Sequence, residues 1–93
     1  PIPHMNWNSI KMTNINWDGT YLKNNFNNDL MYFVHSYFVV PKDKSIILSE
    51  TSYGSQTFCS SILKKNIFAT QFHPEKSSIN GLKIYKSLYN CLQ

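Results

Sequence analysis

The sequence predicts a strand-rich α/β domain that ends in a single helix. Three observations carry that expectation. The stretch "MYFVHSYFVV" (31–40) is dense in aromatic and β-branched residues, which suit a pleated, half-buried surface. Three shorter apolar runs follow it, separated by turn residues. The closing stretch "SSINGLKIYKSLYNCLQ" then changes period, from alternation to steps of three and four.

Residues 1–10 read as a loop or short strand around Trp7. Residues 11–30 are polar and asparagine-rich ("NNFNN"), a connection with a turn of helix near "TYLKNNF". In the strand 31–40, alternation places Phe33, His35, Tyr37 and Val39 on one face. Tyr32, Val34, Ser36, Phe38 and Val40 lie on the other, so both faces are apolar enough to be covered. Pro41 and "PKDK" end this run. "SIILSE" (45–50), "TFCSSIL" (57–63) and "NIFATQF" (66–72) are the next strands, with "SYGS" and "LKKN" as turns. In the last segment Leu82, Tyr85, Leu88, Tyr89 and Leu92 form the helical stripe, Ser77 or Ser78 can cap its start, and Gly81 weakens the first turn. An independent α/β domain alternates strands with covering helices. Here the covers are missing, which points to something absent upstream, and a first residue that is proline hints at a processed product, an engineered piece or a fragment.

Ninety-three residues suffice for one small domain, and no repeat or linker divides them. A hydrophobic content of 42%, with 15% aromatic, is that of a globular chain rather than a disordered one. No apolar run is long enough to span a membrane, and "PIPHMNWN" has neither the charged leader nor the apolar core of a signal peptide. The formal charge is +4, but all the basic residues are lysines, and only Lys64 and Lys65 are adjacent. Without arginine or a basic stripe, nucleic acid is not an expected partner. Cys59 and Cys91 form no CxxC pair and read as reduced thiols of a cytoplasmic protein. His4, His35 and His73 lack metal-ligand spacing, so no metal site is expected.

The chemistry concentrates in "QFHPEKS" (71–77). Proline biases the preceding His73 to an extended conformation and ends the strand there. Glu75, two residues on, projects to the same side. A carboxylate beside an imidazole fixes its tautomer and stabilises its protonated form, the orienting half of a catalytic triad. Taken alone, a His-x-Glu is most often a surface ion pair or a strand-end histidine. Cys59 lies in a strand-like run and Cys91 at a helix end, neither flanked by the glycines of a nucleophile elbow, so a structural thiol is the reading for Cys59.

"YGSQTFCSSILKKNIFATQFHPEKS" (53–77) resembles the C-terminal half of class I, triad-type glutamine amidotransferases, in which a Q-F-H-P-E-x-S block carries the His and Glu of a Cys-His-Glu triad. "PHMNWN" (3–8) and "YFVHSY" (32–37) are similar to segments of the branch formed by the glutaminase subunits of imidazole glycerol phosphate synthase. The resemblance implies the C-terminal portion of a flavodoxin-like α/β domain across residues 1–93, with the nucleophile-bearing half absent. It implies His73 as general base and Glu75 as its orienter, and His35, Ser36 and Tyr37 as backbone holding the substrate L-glutamine. Trp7, Asn8, Tyr32 and Lys76 would face a (β/α)8-barrel synthase partner in a heterodimer, through which ammonia passes; no cofactor is implied. Tryptophan is enriched at interface hot spots, and the alternative for Trp7 is a core role. Where the family has glycine before this tryptophan, the chain has Asn6, the residue that best tolerates a glycine-like conformation. The acceptor expected is that of histidine biosynthesis. The alternatives are a paralogue that feeds sugar-nucleotide amidation in surface polysaccharide synthesis, or a non-catalytic, partner-binding remnant. The 93 residues alone are expected to be inactive.

Overall fold

The computed structural model describes residues 4–91, without the side chains of His4 and Cys91. Leu92, expected in the helical stripe, and Pro3 of "PHMNWN" lie outside the described residues. Strands β1 (His4–Ser9), β2 (Lys11–Met12), β3 (Leu30–His35), β4 (Ile47–Tyr53), β5 (Gln56–Lys64) and β6 (Ile67–Thr70) precede one helix, α1 (Ser78–Cys91). They form two antiparallel sheets: a ribbon of β1 and β3, and a four-stranded sheet in the order β2-β4-β5-β6. The strand-rich architecture with a single C-terminal helix is as the sequence predicts.

Two tight hairpins build the larger sheet. Tyr53 pairs with Gln56 across Gly54 and Ser55, and Gly54 takes the positive φ (61°) that a two-residue turn of this kind requires. Lys64 pairs with Ile67 across Lys65 and Asn66, where Lys65 adopts a φ of 56°. Between the sheets lies a core of Ile10, Trp17, Leu22, Met31, Phe33, Leu48, Phe58, Phe72 and Ile84. The polar connection 11–30 therefore supplies two core residues. Trp17 is fully enclosed, and its indole N–H donates to the Leu48 carbonyl at 2.8 Å, so its one polar atom is satisfied. The residues of "TYLKNNF" form turns rather than helix.

The asparagines that mark this connection clasp it to α1. Asn24 donates to the Ser87 hydroxyl at 2.9 Å, and Asn25 donates to the Asn80 carbonyl at 3.0 Å and to Asp29 at 3.1 Å. Asp29 also pairs with Lys83 at 3.3 Å.

Three expectations need correction. The strand expected over 31–40 ends at His35. There the His35 Nδ1–H donates to the Tyr37 carbonyl at 3.0 Å and turns the chain aside. Residues 36–40 are exposed, with Phe38 stacked on Phe58 at 5.4 Å as their anchor. The β3 strand buries one face, Met31 and Phe33, while Tyr32 and Val34 are only half-covered.

The strand expected over 66–72 ends at Thr70, leaving Phe72 as a core residue in the turn before His73. The helix also buries a different face from the one its large residues suggest. Gly81, Ile84 and Ser87 are buried and Leu88 partly so, while Leu82, Tyr85 and Tyr89 are exposed. Small residues let the helix approach closely: a Cβ on Gly81 would fall 1.8 Å from the Pro74 carbonyl oxygen. Glycine's absent side chain therefore serves packing here, at the cost in helix propensity that the sequence suggests.

Candidate active site

His73 sits at the end of the run that leaves β6, and Pro74 begins a single 3-10 turn, Pro74–Lys76. Proline suits this position, because its fixed φ is preorganised for the first helical residue and its missing N–H leaves no donor unpaired. The turn brings Glu75 back beside the imidazole. His73 Nδ1 and Glu75 Oε2 are 2.9 Å apart, with both side chains partly exposed. Glu75's own backbone N–H and, next, the His73 ring hold its carboxyl below the ordinary carboxylate range. It is therefore ionised at neutral pH and accepts the Nδ1 proton. That bond fixes the tautomer in which Nε2 carries the lone pair. Nε2 makes no hydrogen bond among the described residues, so it is free to take up a proton from a group placed before it.

Two hydrogen bonds dock this turn on β3, and a third links its two ends. The His73 N–H donates to the Tyr32 carbonyl at 2.9 Å. The Tyr32 N–H donates to the Ser77 hydroxyl at 3.0 Å, and that hydroxyl donates to the His73 carbonyl at 2.6 Å. In an antiparallel ladder, alternate residues point both backbone groups away from their partner strand. Tyr32 occupies such a position in the β1–β3 ribbon, and the turn satisfies both of its groups. Of the two candidate caps, Ser77 and Ser78, the hydroxyl of Ser77 is part of this dock instead. Ser78 follows with a φ of 56°, a left-handed conformation that reverses the chain into α1.

Tyr32 also lies opposite Trp7, and their rings meet edge-to-face at 5.7 Å. Trp7 is 43% exposed whereas Trp17 is 1% exposed, so the core tryptophan is Trp17 and not Trp7. Asn8 does not point outward with Trp7. Its amide donates to the Ser52 carbonyl at 2.7 Å and ties β1 to β4. Lys76 is exposed on the turn and makes no ion pair among the described residues. Asn6 lies in β1, with Phe33 as its cross-strand partner, and is not among the positive-φ residues, so the chain there asks for no glycine-like conformation.

His35 packs its ring on Phe58 (5.0 Å) and Phe33 (5.8 Å), and Tyr37 stands 75% exposed beside exposed Ser36. Cys59 is buried, and its thiol donates to the Ser61 carbonyl at 3.4 Å. Burial pushes that thiol's pKa up, the reverse of what an activated nucleophile needs. No cluster of three or more His, Cys, Asp or Glu occurs among the described residues, and no described helix is long and apolar enough to cross a membrane.

Sequence reasoning missed Ser77 and Gly81 as parts of the site. The signal for Ser77 was its place at the end of "QFHPEKS", four residues after His73, but a serine before a helix has a simpler reading as its cap.

The family described as "Glutamine amidotransferase class-I" matches residues 2–88. The chain is 46% identical over 92 residues to the imidazole glycerol phosphate synthase subunit HisH of Gloeothece citriformis, covering 96% of this chain and 41% of that protein. It is 47% identical over 89 residues to the HisH subunit of Hydrogenovibrio crunogenus, covering 96% of this chain and 40% of that one. Over 86 residues it is 45% identical to HisH 1 of Methanococcus maripaludis, covering 92% of this chain and 40% of that protein. The chain thus spans about two fifths of the length of the curated relatives it matches.

Proposed function

The chain belongs to the class I glutamine amidotransferases, and from that premise we propose that it is the C-terminal part of a flavodoxin-like glutaminase that supplies ammonia to an imidazole glycerol phosphate synthase. The observation that carries the reading is the His73–Glu75 contact of 2.9 Å on a turn docked to β3. These relatives are subunits of imidazole glycerol phosphate synthase, which favours the histidine-pathway acceptor over the sugar-amidating paralogue.

In this reading a cysteine from outside the 93 residues is the nucleophile. His73 Nε2 takes the thiol proton, and the thiolate adds to the side-chain amide carbon of L-glutamine. The same imidazole then returns the proton to the leaving nitrogen, releasing ammonia and leaving a thioester. Water, deprotonated by Nε2, frees glutamate. Glu75 holds the ring in one tautomer and stabilises the imidazolium formed in each half-reaction. The backbone of His35, Ser36 and Tyr37 holds the glutamine. Trp7, Tyr32 and Lys76 face the barrel partner, with Asn8 bracing the strand behind them. Cys59 takes no part, and the isolated chain releases no ammonia.

A chimera tests this. The N-terminal three fifths of the Gloeothece citriformis subunit, fused ahead of the matching point in this chain, should release glutamate from glutamine when mixed with that organism's synthase partner. His73→Ala in the chimera should lower the rate by on the order of a thousandfold. A folded chimera with no glutaminase activity, or one indifferent to His73→Ala, would overturn the assignment.

A further inference from the structure

We propose that Ser77 is a positioning residue for His73, holding the histidine's backbone on β3 so that its ring and Glu75 meet; this rests on the reading of His73 as the general base. The Ser77 side chain is buried, and its hydroxyl is used in both directions, accepting from the Tyr32 N–H at 3.0 Å and donating to the His73 carbonyl at 2.6 Å. One oxygen thus joins the strand to the histidine. A hydroxyl is the smallest group that can accept from one backbone and donate to another at once. Without it the Tyr32 N–H loses its partner, and the His73 carbonyl is left with the Lys76 N–H at 3.0 Å, a bond within the turn that does not reach β3.

The dock is continuous with the helix that follows. Along the same edge of β3, the Asn80 amide donates to the Leu30 carbonyl at 2.9 Å, and the His73 N–H donates to the Tyr32 carbonyl at 2.9 Å. Residues 73–80 therefore satisfy the Leu30 carbonyl and both outward backbone groups of Tyr32 in place of a third strand. Asn80 and the His73 N–H remain as anchors when Ser77 loses its hydroxyl. The expected consequence is a local loosening of the turn, with the fold retained. Both effects that hold the Glu75 carboxyl low, its own N–H and the His73 ring, depend on that turn. Lys76 is the other charged group that acts on it.

The test needs no enzymatic activity, so its failure is distinct from a failure of the chimera to release glutamate. Ser77→Ala, Ser77→Thr and Ser77→Val are made in the chimera, which supplies the N-terminal part; Thr and Val differ only in the hydroxyl. Carboxyl titrations of Glu75 and Asp43 and the amide exchange of Tyr32 are followed by NMR. Asp43 is a control remote from the dock, since Ser45, two residues away, holds its carboxyl below the ordinary range. In the Ala and Val variants the Tyr32 amide should exchange about tenfold faster, the loss of one buried hydrogen bond. Glu75 should then titrate in the ordinary carboxylate range while Asp43 stays low, and Thr should match the parent. Glu75 unchanged in the Ala and Val variants, or Thr behaving as Val, would overturn the proposal. Release of Asp43 together with Glu75 would also overturn it, because Ser77 would then be a general stabiliser and no positioning residue.

Discussion

Gly81 and Pro74 are in backbone contact: a Cβ built on Gly81 would lie 1.8 Å from the Pro74 carbonyl oxygen and 2.7 Å from its carbon. The atoms in the way are main chain, so no side-chain rotation relieves the clash. Gly81→Ala is therefore expected to destabilise the chain by about 1–3 kcal/mol, as overpacking does. In a helix interior the same change ordinarily stabilises by about 0.5–1 kcal/mol. The sign of the shift in a denaturant midpoint separates the two, and a more stable variant would show that the helix does not press on the turn.

The two tryptophans should behave oppositely. Trp17→Ala removes an enclosed ring and the partner of the Leu48 carbonyl, and should cost about 3–5 kcal/mol. Trp7→Ala removes a half-exposed ring whose contact is the edge of Tyr32, and should cost about 1 kcal/mol or less. Its larger effect is expected on affinity for the proposed barrel partner. Equal losses of stability in the two variants would put Trp7 in the core.

Glu75 makes stability depend on acid pH. Its folded pKa is depressed below 4.5, so between the two values the unfolded state binds more protons and stability rises with pH. The contribution is present above 4.5 and is lost as pH falls through the folded pKa. Glu75→Gln should thus be less stable than the parent at neutral pH and converge with it in acid. A gap between parent and variant that persists at low pH would contradict the direction of this shift.

Cys59 should resist alkylation. Burial raises its thiol pKa above 9.0, so near pH 8 even less thiolate is present than on a free cysteine. Iodoacetamide labelling at Cys59, read by peptide mass, should be at least about tenfold slower in the folded chain than in denaturant. For this acid a raised folded pKa has the opposite consequence from Glu75's: stability falls as pH rises past 9.0, where the unfolded thiol ionises first. Fast labelling under native conditions would reopen Cys59 as a reactive thiol.

The strands and their turns were largely legible in the sequence because local chemistry decides them. β-Branched and aromatic runs bounded by Gly54 and by Lys65–Asn66 leave few other conformations, and the pairs Tyr53–Gln56 and Lys64–Ile67 close the two hairpins. The pairing of His73 with Glu75 was legible from its short spacing, although a 3-10 turn over Pro74–Lys76 closes it where the sequence suggested an extended spacer. The end of β3 was not. "SYFVV" has strand composition, but β3 ends at His35, where the ring turns to the Tyr37 carbonyl. Nor was the packed face of α1 legible. Leu82, Tyr85 and Tyr89 outrank Gly81 and Ser87 in hydrophobicity, yet the helix packs by close approach and hydrogen bonding through the small residues.

Residue types and short spacings, which act over a few bonds, were enough to determine a strand-rich chain closed by one helix, with an imidazole–carboxylate pair beside it. Tertiary structure decided where that pair sits. Tyr32 and Ser77 are 45 residues apart, and their hydrogen bond forms only once β3 pairs with β1 and turns its unpaired edge outward. A hydrogen bond between residues so distant depends on the whole fold to bring them together, and no local pattern records it.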